Sequence, residues 1–473
     1  MRFKKELLFL KSALTEVNPF ITTEQVVHWL SERNKTVNVN IRKVKFSELS
    51  QWEFSEGKTK LMHTSGKFFS IDGIRVKTNY GRIERWEQPI INQPEIGYLG
   101  FITKVFDGIL YFLVQAKIEP GNVNNVQLSP TLQATRSNYS QVHKGKAPRY
   151  LEYFKERARC TVLLDQLQSE QGARFLHKRN RNIIVQTEEE IEVHEDFVWL
   201  TLGQIKKLIQ QDNLVNMDTR TVISGIPFGS FNSEVIDFFR TIEQDNSKGI
   251  GLDMLGSALR NSNRLHSIDE IIAWFTELKC NYDLNIEKIP LSEVDDWIID
   301  EYEIRHKDNK YFKVIATEVE ISNREVAKWM QPLVQPAQEG LIAFIIKKIN
   351  GVYHFLVQAK LESGNFDVLE MAPTVQCLTG NYRQTKEGAL PFLDLVLNAP
   401  KRNIIFDTLQ SEEGGRFYHE QNRNLLIKMD ESFNEQIPEN YCWMTLNQLN
   451  SFLKYNNYLN IQARSLISAI SFK

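Results

Sequence analysis

Lys117, Glu119 and Asn122 stand directly behind the apolar run Phe112-Leu-Val-Gln-Ala116, and the same three types return as Lys360, Glu362 and Asn365 behind a copy of that run. A loop at a strand end can aim an acid, a base and an amide at one ligand; a solvated charge pair would leave the same trace. His177 and His419 each close a Gly-x-Arg-Phe-x-His pattern, and imidazole is the side chain most easily tuned to exchange protons near neutral pH. The Arg of that pattern, Arg174 or Arg416, has the fork to grip a phosphate or carboxylate. Tyr139 and Tyr382, each after an Asn, carry hydroxyls that suit a leaving group or an oxyanion, or that simply anchor a loop. His63 and His306 make one more repeated pair. No Ser/His/Asp grouping, His-x-x-x-His pattern, Gly-x-Gly-x-x-Gly or Walker loop stands out, so neither nicotinamide nor ATP is indicated.

The elements that must position these residues come in two copies. Phe112-Leu-Val-Gln-Ala-Lys117 recurs unchanged as Phe355-Leu-Val-Gln-Ala-Lys360, and Pro130, Thr131 and Gln133 as Pro373, Thr374 and Gln376. Gln168-Ser-Glu170 and Asn180-Arg-Asn182 recur as Gln410-Ser-Glu412 and Asn422-Arg-Asn424, and Trp29 and Trp199 as Trp274 and Trp443. Repeat one is placed at 18–228 and repeat two at 262–473, joined by a linker over 229–261. Ahead of them, Leu7, Leu10, Leu14 and Val17 follow helical spacing within 1–17. A period this long marks duplicated domains, because solenoid units run to roughly 20–50 residues.

Each copy reads alike. Thr22-x-x-Gln25 and Ser267-x-x-Glu270 predict capped opening helices, and Thr201-x-x-Gln204 and Thr445-x-x-Gln448 capped late ones. Lys67–Val76, Tyr98–Val105 and Ile109–Ala116 read as strands, with hairpin turns at Asp107-Gly108 and Asn350-Gly351. Helices flanking partly antiparallel strands make an α+β pattern.

Composition excludes whole classes of function. Hydrophobic residues at 42% and charged residues at 25% are globular values, and 57 basic against 59 acidic residues leave no electrostatic footprint for nucleic acid. No apolar run reaches the roughly 20 residues of a membrane span. Lys11 interrupts the N-terminal apolar run too early for a signal peptide, and Cys160, Cys280, Cys377 and Cys442 are too scattered for a disulfide framework or a zinc site, so the expectation is a cytoplasmic protein with reduced thiols.

Several longer motifs resemble a known family. Phe112-Leu-Val-Gln-Ala-Lys-x-Glu-Pro-Gly-Asn122, Gln127-Leu-Ser-Pro-Thr-Leu-Gln-Ala-Thr-Arg-Ser-Asn-Tyr139, Leu167-Gln-Ser-Glu-Gln-Gly172, Asn213-Leu-Val-Asn-Met-Asp-Thr-Arg220 and Ser411-Glu-Glu-Gly-Gly-Arg-Phe-Tyr-His419 are similar to those of the NDP-hexose 2,3-dehydratases of deoxysugar biosynthesis. The resemblance covers nearly the whole chain. It implies two tandem Nudix-like domains per subunit, a homodimer, and a nucleotide-sugar substrate, usually dTDP-4-keto-6-deoxy-D-glucose. The Nudix hydrolase signature with its carboxylate cluster is broken in both halves, so no metal and no cofactor is expected.

The reaction so implied is C3 proton abstraction and loss of the C2 hydroxyl, and its labile 3,4-diketo product calls for a downstream NADPH-dependent 3-ketoreductase. Glu119, His177 or Tyr139 are the candidates for proton transfer, and Lys117, Gln115 and Asn138 for enolate donors. Arg136, Arg174 and Arg220 are the candidates for the diphosphate, with Asn122, Thr131 and Gln133 as further substrate contacts. Lys360, Glu362, Gln376, Tyr382, Arg416 and His419 form the corresponding second pocket, and the fuller Thr135-Arg-Ser-Asn-Tyr139 segment favours the first. Two rivals stand beside this reading, a nucleotide-sugar diphosphate hydrolase and a noncatalytic nucleotide-sugar sensor.

Overall fold

The computed structural model describes residues 4–139, 147–156, 159–228, 233–245, 249–259, 263–322, 326–378, 390–434 and 436–473. Each half of the chain builds one seven-stranded and one five-stranded sheet. In the first half, the larger sheet runs in the order Thr161–Ser169, Arg179–Gln186, Tyr98–Phe106, Ile109–Ile118, Phe197–Thr201, with Val126–Ser129 and Leu132–Ala134 paired alongside. Tyr98–Phe106 and Arg179–Gln186 pair in parallel, Arg181 opposite Tyr98, while the other pairs are antiparallel. Gly340–Ile349 and Gln421–Met429 repeat that parallel pair in the second half. The architecture is mixed α+β, as the sequence pattern predicts.

Local sequence explains the hairpins and helix starts. Asp107 and Gly108 sit at φ 48° and 78°, and Asn350 and Gly351 at 51° and 79°, which is the left-handed pair that a two-residue hairpin turn requires. All four predicted capping boxes are formed, at Thr22, Thr201, Ser267 and Thr445. The hairpin strands run slightly longer than predicted, to Phe106 and Ile118. The strand predicted from Lys67 begins instead at Ser70, because Gly66 and Phe68 take positive φ and turn the chain before it.

The smaller sheets trade strands. Val39–Val44 from the first half pairs with Phe312–Ile321 of the second, Val39 opposite Ile321, and Leu284–Ile289 returns to pair with Ser70–Thr78, Leu284 opposite Thr78. One hydrophobic core accordingly runs through both halves, with Phe101, Phe112, Phe344 and Phe355 all fully enclosed. Each such side chain contributes roughly 1.5–3 kcal/mol by leaving water.

Two segments depart from expectation. The first helix spans Lys4–Leu14 and buries Phe9, Leu10 and Ala13, while Val17 lies beyond its end, 84% exposed. Ser12 fixes it, donating to Leu110 O at 2.6 Å and accepting from Leu202 N at 2.9 Å. The stretch read as a linker contains the helices Ser233–Asp245 and Ile250–Leu259, and Ser257 in the latter makes the same two bonds, to Tyr353 O and from Leu446 N. Gly256, Ser257 and Ala258 of that stretch are buried on the packed face of the second helix. Among the described residues, no helix is long and apolar enough to cross a membrane, and the four cysteines are free thiols.

Candidate functional site

The strand Ile109–Ile118 delivers Glu119-Pro-Gly-Asn122 against residues of the opposite half. Gly121 N donates to Gly414 O at 2.7 Å and His419 N to Gly121 O at 2.8 Å. A Cβ on Gly121 would lie 1.6 Å from Phe417 O, so only glycine fits. The mirror contact joins Gly364 to Gly172 and His177 to Gly364 O, at 2.6 and 2.8 Å. Each site therefore takes its Lys and Glu from one half and its Gly-Arg-Phe-His segment from the other. This corrects the sequence grouping: Arg416 and His419 lie at the Glu119 site, whereas Arg174 and His177 lie at the Glu362 site.

At the Glu119 site, Gln133 Nε2 donates to Glu119 Oε1 at 2.8 Å. Gln133 is itself held, because its Oε1 accepts from Ser129 Oγ at 2.8 Å and from Asn216 Nδ2 at 3.2 Å. Asn216 in turn caps the helix Met217–Ser224. Lys117 Nζ donates to Gln133 O at 3.1 Å. The other carboxylate oxygen, Glu119 Oε2, has no hydrogen-bond partner although the residue is only 5% exposed. Asp218, 2% exposed on the first turn of the capped helix, has its carboxyl raised well above the usual range by burial and by Glu413, Glu119 and Glu170.

Burial likewise raises Glu413, with Glu119 adding to the effect, and lifts Glu170 to about 7 with Glu413 beside it. Lys178 falls to about 8 through burial, although Glu170 and Glu413 favour its charge. Its ammonium donates to Glu95 O and to Asn180 Oδ1 at 2.8 Å. Arg416 lies over the Phe69 ring at 4.3 Å and donates to Gly415 O at 2.7 Å and Gln93 Oε1 at 3.1 Å. Around Gly415 the site narrows, since the point where a Cβ would stand lies 3.2 Å from Glu413 Oε1 and 3.4 Å from Glu119 Oε1. Carboxyl groups that cannot all ionise together are proton donors and acceptors in waiting.

The Glu362 site repeats the frame with other chemistry. Gln376 Nε2 donates to Glu362 Oε1 and Gln376 Oε1 accepts from Asn460 Nδ2, both at 2.7 Å, and Lys360 Nζ reaches Gln376 O at 3.5 Å. Where the first site has Asp218 and Glu413, the second has Gln462 and Gln171. Gln171 Nε2 donates to Glu412, so an amide satisfies the position at which Glu413 crowds Glu170. Lys178 is matched by Glu420, which burial lifts to about 7 beside Arg174, and Gly415 by Ala173.

Several predicted residues spend their polar atoms on the surrounding backbone and side chains. Thr131 Oγ1 donates to Leu113 O and accepts from Ile102 N at 3.0 Å, tying two strands. Arg220 is fully enclosed, its guanidinium spent on Gln410 Oε1 and Ser411 O, and Arg464 clasps Ser169 O in the same manner. Asn122 closes the turn through Asn125 O at 2.8 Å and packs on Gly414. Gln115 is half-buried in its strand, and Arg136 is exposed on the short helix Arg136–Tyr139, which Ser137 ties to Glu95. Tyr382 and the side chains of Asn138 and Tyr139 lie outside the described residues.

His177 and His419, at φ 49° and 52°, rest on Phe366 and Tyr418 rather than on the carboxylates, and partial burial lowers both imidazoles. His63 and His306 pack among Trp52, Phe68, Trp297 and Tyr311. Sequence reasoning missed Asp218, Glu413, Glu170 and Lys178. Their trace was the positions at which the copies disagree. Among the described residues, no group of three or more His, Cys, Asp or Glu is placed to hold a metal ion.

Comparison with known proteins identifies the family. The profile of the NDP-hexose 2,3-dehydratase family matches twice, over residues 23–226 and 268–470. The chain is 46% identical over 463 residues to a dTDP-4-dehydro-6-deoxy-alpha-D-glucopyranose 2,3-dehydratase of Saccharopolyspora spinosa, covering 98% of this chain and 94% of that protein. Proteins of the same description from Amycolatopsis orientalis and Streptomyces violaceoruber are 40% and 42% identical, over 97% and 93% of this chain and 92% and 95% of theirs. With both repeats matched and nearly the full length shared, the chain belongs to the NDP-hexose 2,3-dehydratase family.

Proposed function

We propose that this protein is a hydro-lyase that removes water across C2 and C3 of dTDP-4-keto-6-deoxy-D-glucose. The observation that carries the reading is the Glu119 site, where Glu413 and Asp218, both with raised proton affinity, crowd a glutamate whose Oε2 is buried and unpartnered. The C4 ketone acidifies the C3 proton; a base takes it, and the electron pair forms the C2=C3 bond through the enolate as the C2–O bond breaks. A protonated carboxyl gives the departing hydroxide its proton, so water leaves. The enol product tautomerises to a 3,4-diketo-2,6-dideoxy sugar, and the sum of these steps exchanges no electrons with a redox cofactor. Lys117, tethered at Gln133 O, stands where a cation favours an enolate.

Arg220 is enclosed, so the diphosphate falls in this reading to Arg416 and to Arg136, the latter on the helix that Glu95 ties to the site. The family resemblance supports reading each half as a Nudix-like domain, in keeping with its mixed sheet. The family resemblance further supports a cytoplasmic homodimer that hands its product to an NADPH-dependent 3-ketoreductase. The test is incubation with the dTDP-4-keto sugar, such a reductase, NADPH and excess chelator. Enzyme-dependent formation of a reduced 2-deoxy product is expected; release of nucleoside monophosphate, or unchanged sugar despite binding, would overturn the reading.

A further inference from the structure

We infer that Asn216 is a positioning residue for the reaction: through Gln133 it fixes which end of an amide meets Glu119, and so turns Glu119 Oε2 toward the C3 proton. The inference rests on the dehydratase reading above and deepens it by a residue that stands behind the carboxylate.

The chain of contacts starts from a backbone hydrogen whose direction is fixed by a helix. Thr219 N, in the first turn of Met217–Ser224, donates to the Asn216 side chain at 2.8 Å, so the atom it meets is the oxygen Oδ1. The other end of that amide is the donor Nδ2, which reaches Ser129 Oγ at 3.0 Å and Gln133 Oε1 at 3.2 Å. Gln133 accordingly shows its oxygen to Asn216 and its NH2 to Glu119 Oε1, at 2.8 Å. With Oε1 held, the buried Oε2 is the carboxylate oxygen left without a hydrogen-bond partner. Reversed, the Gln133 amide would set two acceptors against each other, and the carboxylate would have to turn away.

The second half shows which donor sets the orientation. Asn460 accepts from Ala463 N at 2.9 Å and donates to Gln376 Oε1, which leaves the Gln376 NH2 to Glu362 Oε1, both at 2.7 Å. Ser129 is matched there by Ala372, so the same amide direction holds without a hydroxyl. In the first half Ser129 follows Asn216: its oxygen accepts from Nδ2, and its one hydrogen goes to Gln133 Oε1 at 2.8 Å. One asparagine thus serves two ends, Oδ1 for the helix and Nδ2 for the site.

The test uses the full chain and separates those two ends, because aspartate and serine cap helices as well as asparagine does. Asn216→Asp puts an acceptor where Nδ2 was and draws the Ser129 hydrogen to itself, so the Gln133 amide reverses. Its kcat, and with it enzyme-dependent entry of solvent deuterium at C3, should fall about 10-fold to 100-fold on the alkaline side, with KM within about twofold of wild type. As pH falls the new carboxyl takes a proton and becomes a donor again, so the ratio of variant to wild-type kcat should recover, which loss of a merely structural contact would not produce. Asn216→Ser guards against a variant that fails to fold: it keeps the cap, places no carboxylate beside Gln133 and leaves that amide to Ser129, so kcat should fall only about threefold. Adding Ser129→Ala to it removes the last donor and should deepen the loss to that of Asn216→Asp, without recovery at low pH. Wild-type kcat in Asn216→Asp at every pH, a ratio that does not move with pH, or equal losses in Asn216→Ser with and without Ser129→Ala would overturn the inference. Failure of the wild-type protein to dehydrate the sugar would instead overturn the dehydratase reading.

Discussion

The Glu119 and Glu362 sites share a frame and differ in the protons it can hold. Lys, Glu, Gln and the capping Asn take equivalent positions in both, yet Asp218, Glu413 and Lys178 in one become Gln462, Gln171 and Glu420 in the other. The contrast separates what the fold needs from what the reaction needs. Groups that hold strands, turns and helix ends together are kept in both halves, whereas the buried titratable groups around them are exchanged for amides or for opposite charge.

The sharpest way to break this comparison is Glu119→Gln, which should cost turnover about 100-fold to 10,000-fold and abolish enzyme-dependent entry of solvent deuterium at C3. Retained deuterium exchange would mean that the base is another group. Next come the scaffold arginines, for which the two halves should behave alike. Arg220→Met and Arg464→Met each strand buried partners and should each cost roughly 3 kcal/mol in denaturant unfolding. A loss confined to one would show that the halves differ in architecture as well as chemistry. Gly415→Ala, which imports the Ala173 methyl between Glu119 and Glu413, should lower kcat/KM about tenfold with little change in stability, about 1.4 kcal/mol of transition-state energy. Ala173→Gly should leave turnover unchanged.

Smaller effects sharpen the picture. Thr22→Ala and Ser267→Ala each remove one half of a formed capping box and should each cost about 1 kcal/mol. Glu370 stands where the first half has Gln127, and burial lifts it to about 7 from an ordinary 4.5. A carboxyl raised on folding binds more protons in the native state between those values, so stability falls as pH rises through that window. Glu370→Gln should flatten that fall, visible as a gain in Tm over wild type at pH 8 that vanishes at pH 4. An equal gain at both pH values would assign the effect to packing.

How much of this was legible in the sequence follows from how local each feature is. The hairpin turns at Asp107-Gly108 and Asn350-Gly351 and all four capping boxes are set within a few residues, and they formed as read. Glu119 and Gln133 were legible as repeated polar positions behind strands. The crossing of the sites was not, because the contact of Gly121 with Gly414 joins residues whose meeting depends on the whole fold. A search for matches between copies also selects scaffold, as Thr131 and Arg220 show, and it passes over Asp218 and Glu413 because they differ from Gln462 and Gln171.

The traded strands have a consequence for the chain as a heritable object. Val39–Val44 completes the sheet of the second half and Leu284–Ile289 that of the first, so either half alone would expose a bare sheet edge and lack the opposite wall of its own site. A half-length ancestor with this topology would close its sheets and its sites only as an arm-exchanged pair. Fusing two such copies into one polypeptide frees one site to drift while the other keeps working, which two identical chains cannot do. Cut between 245 and 250, the present protein should yield two fragments that are insoluble when made singly and that assemble with each other, as unlike partners, when made together.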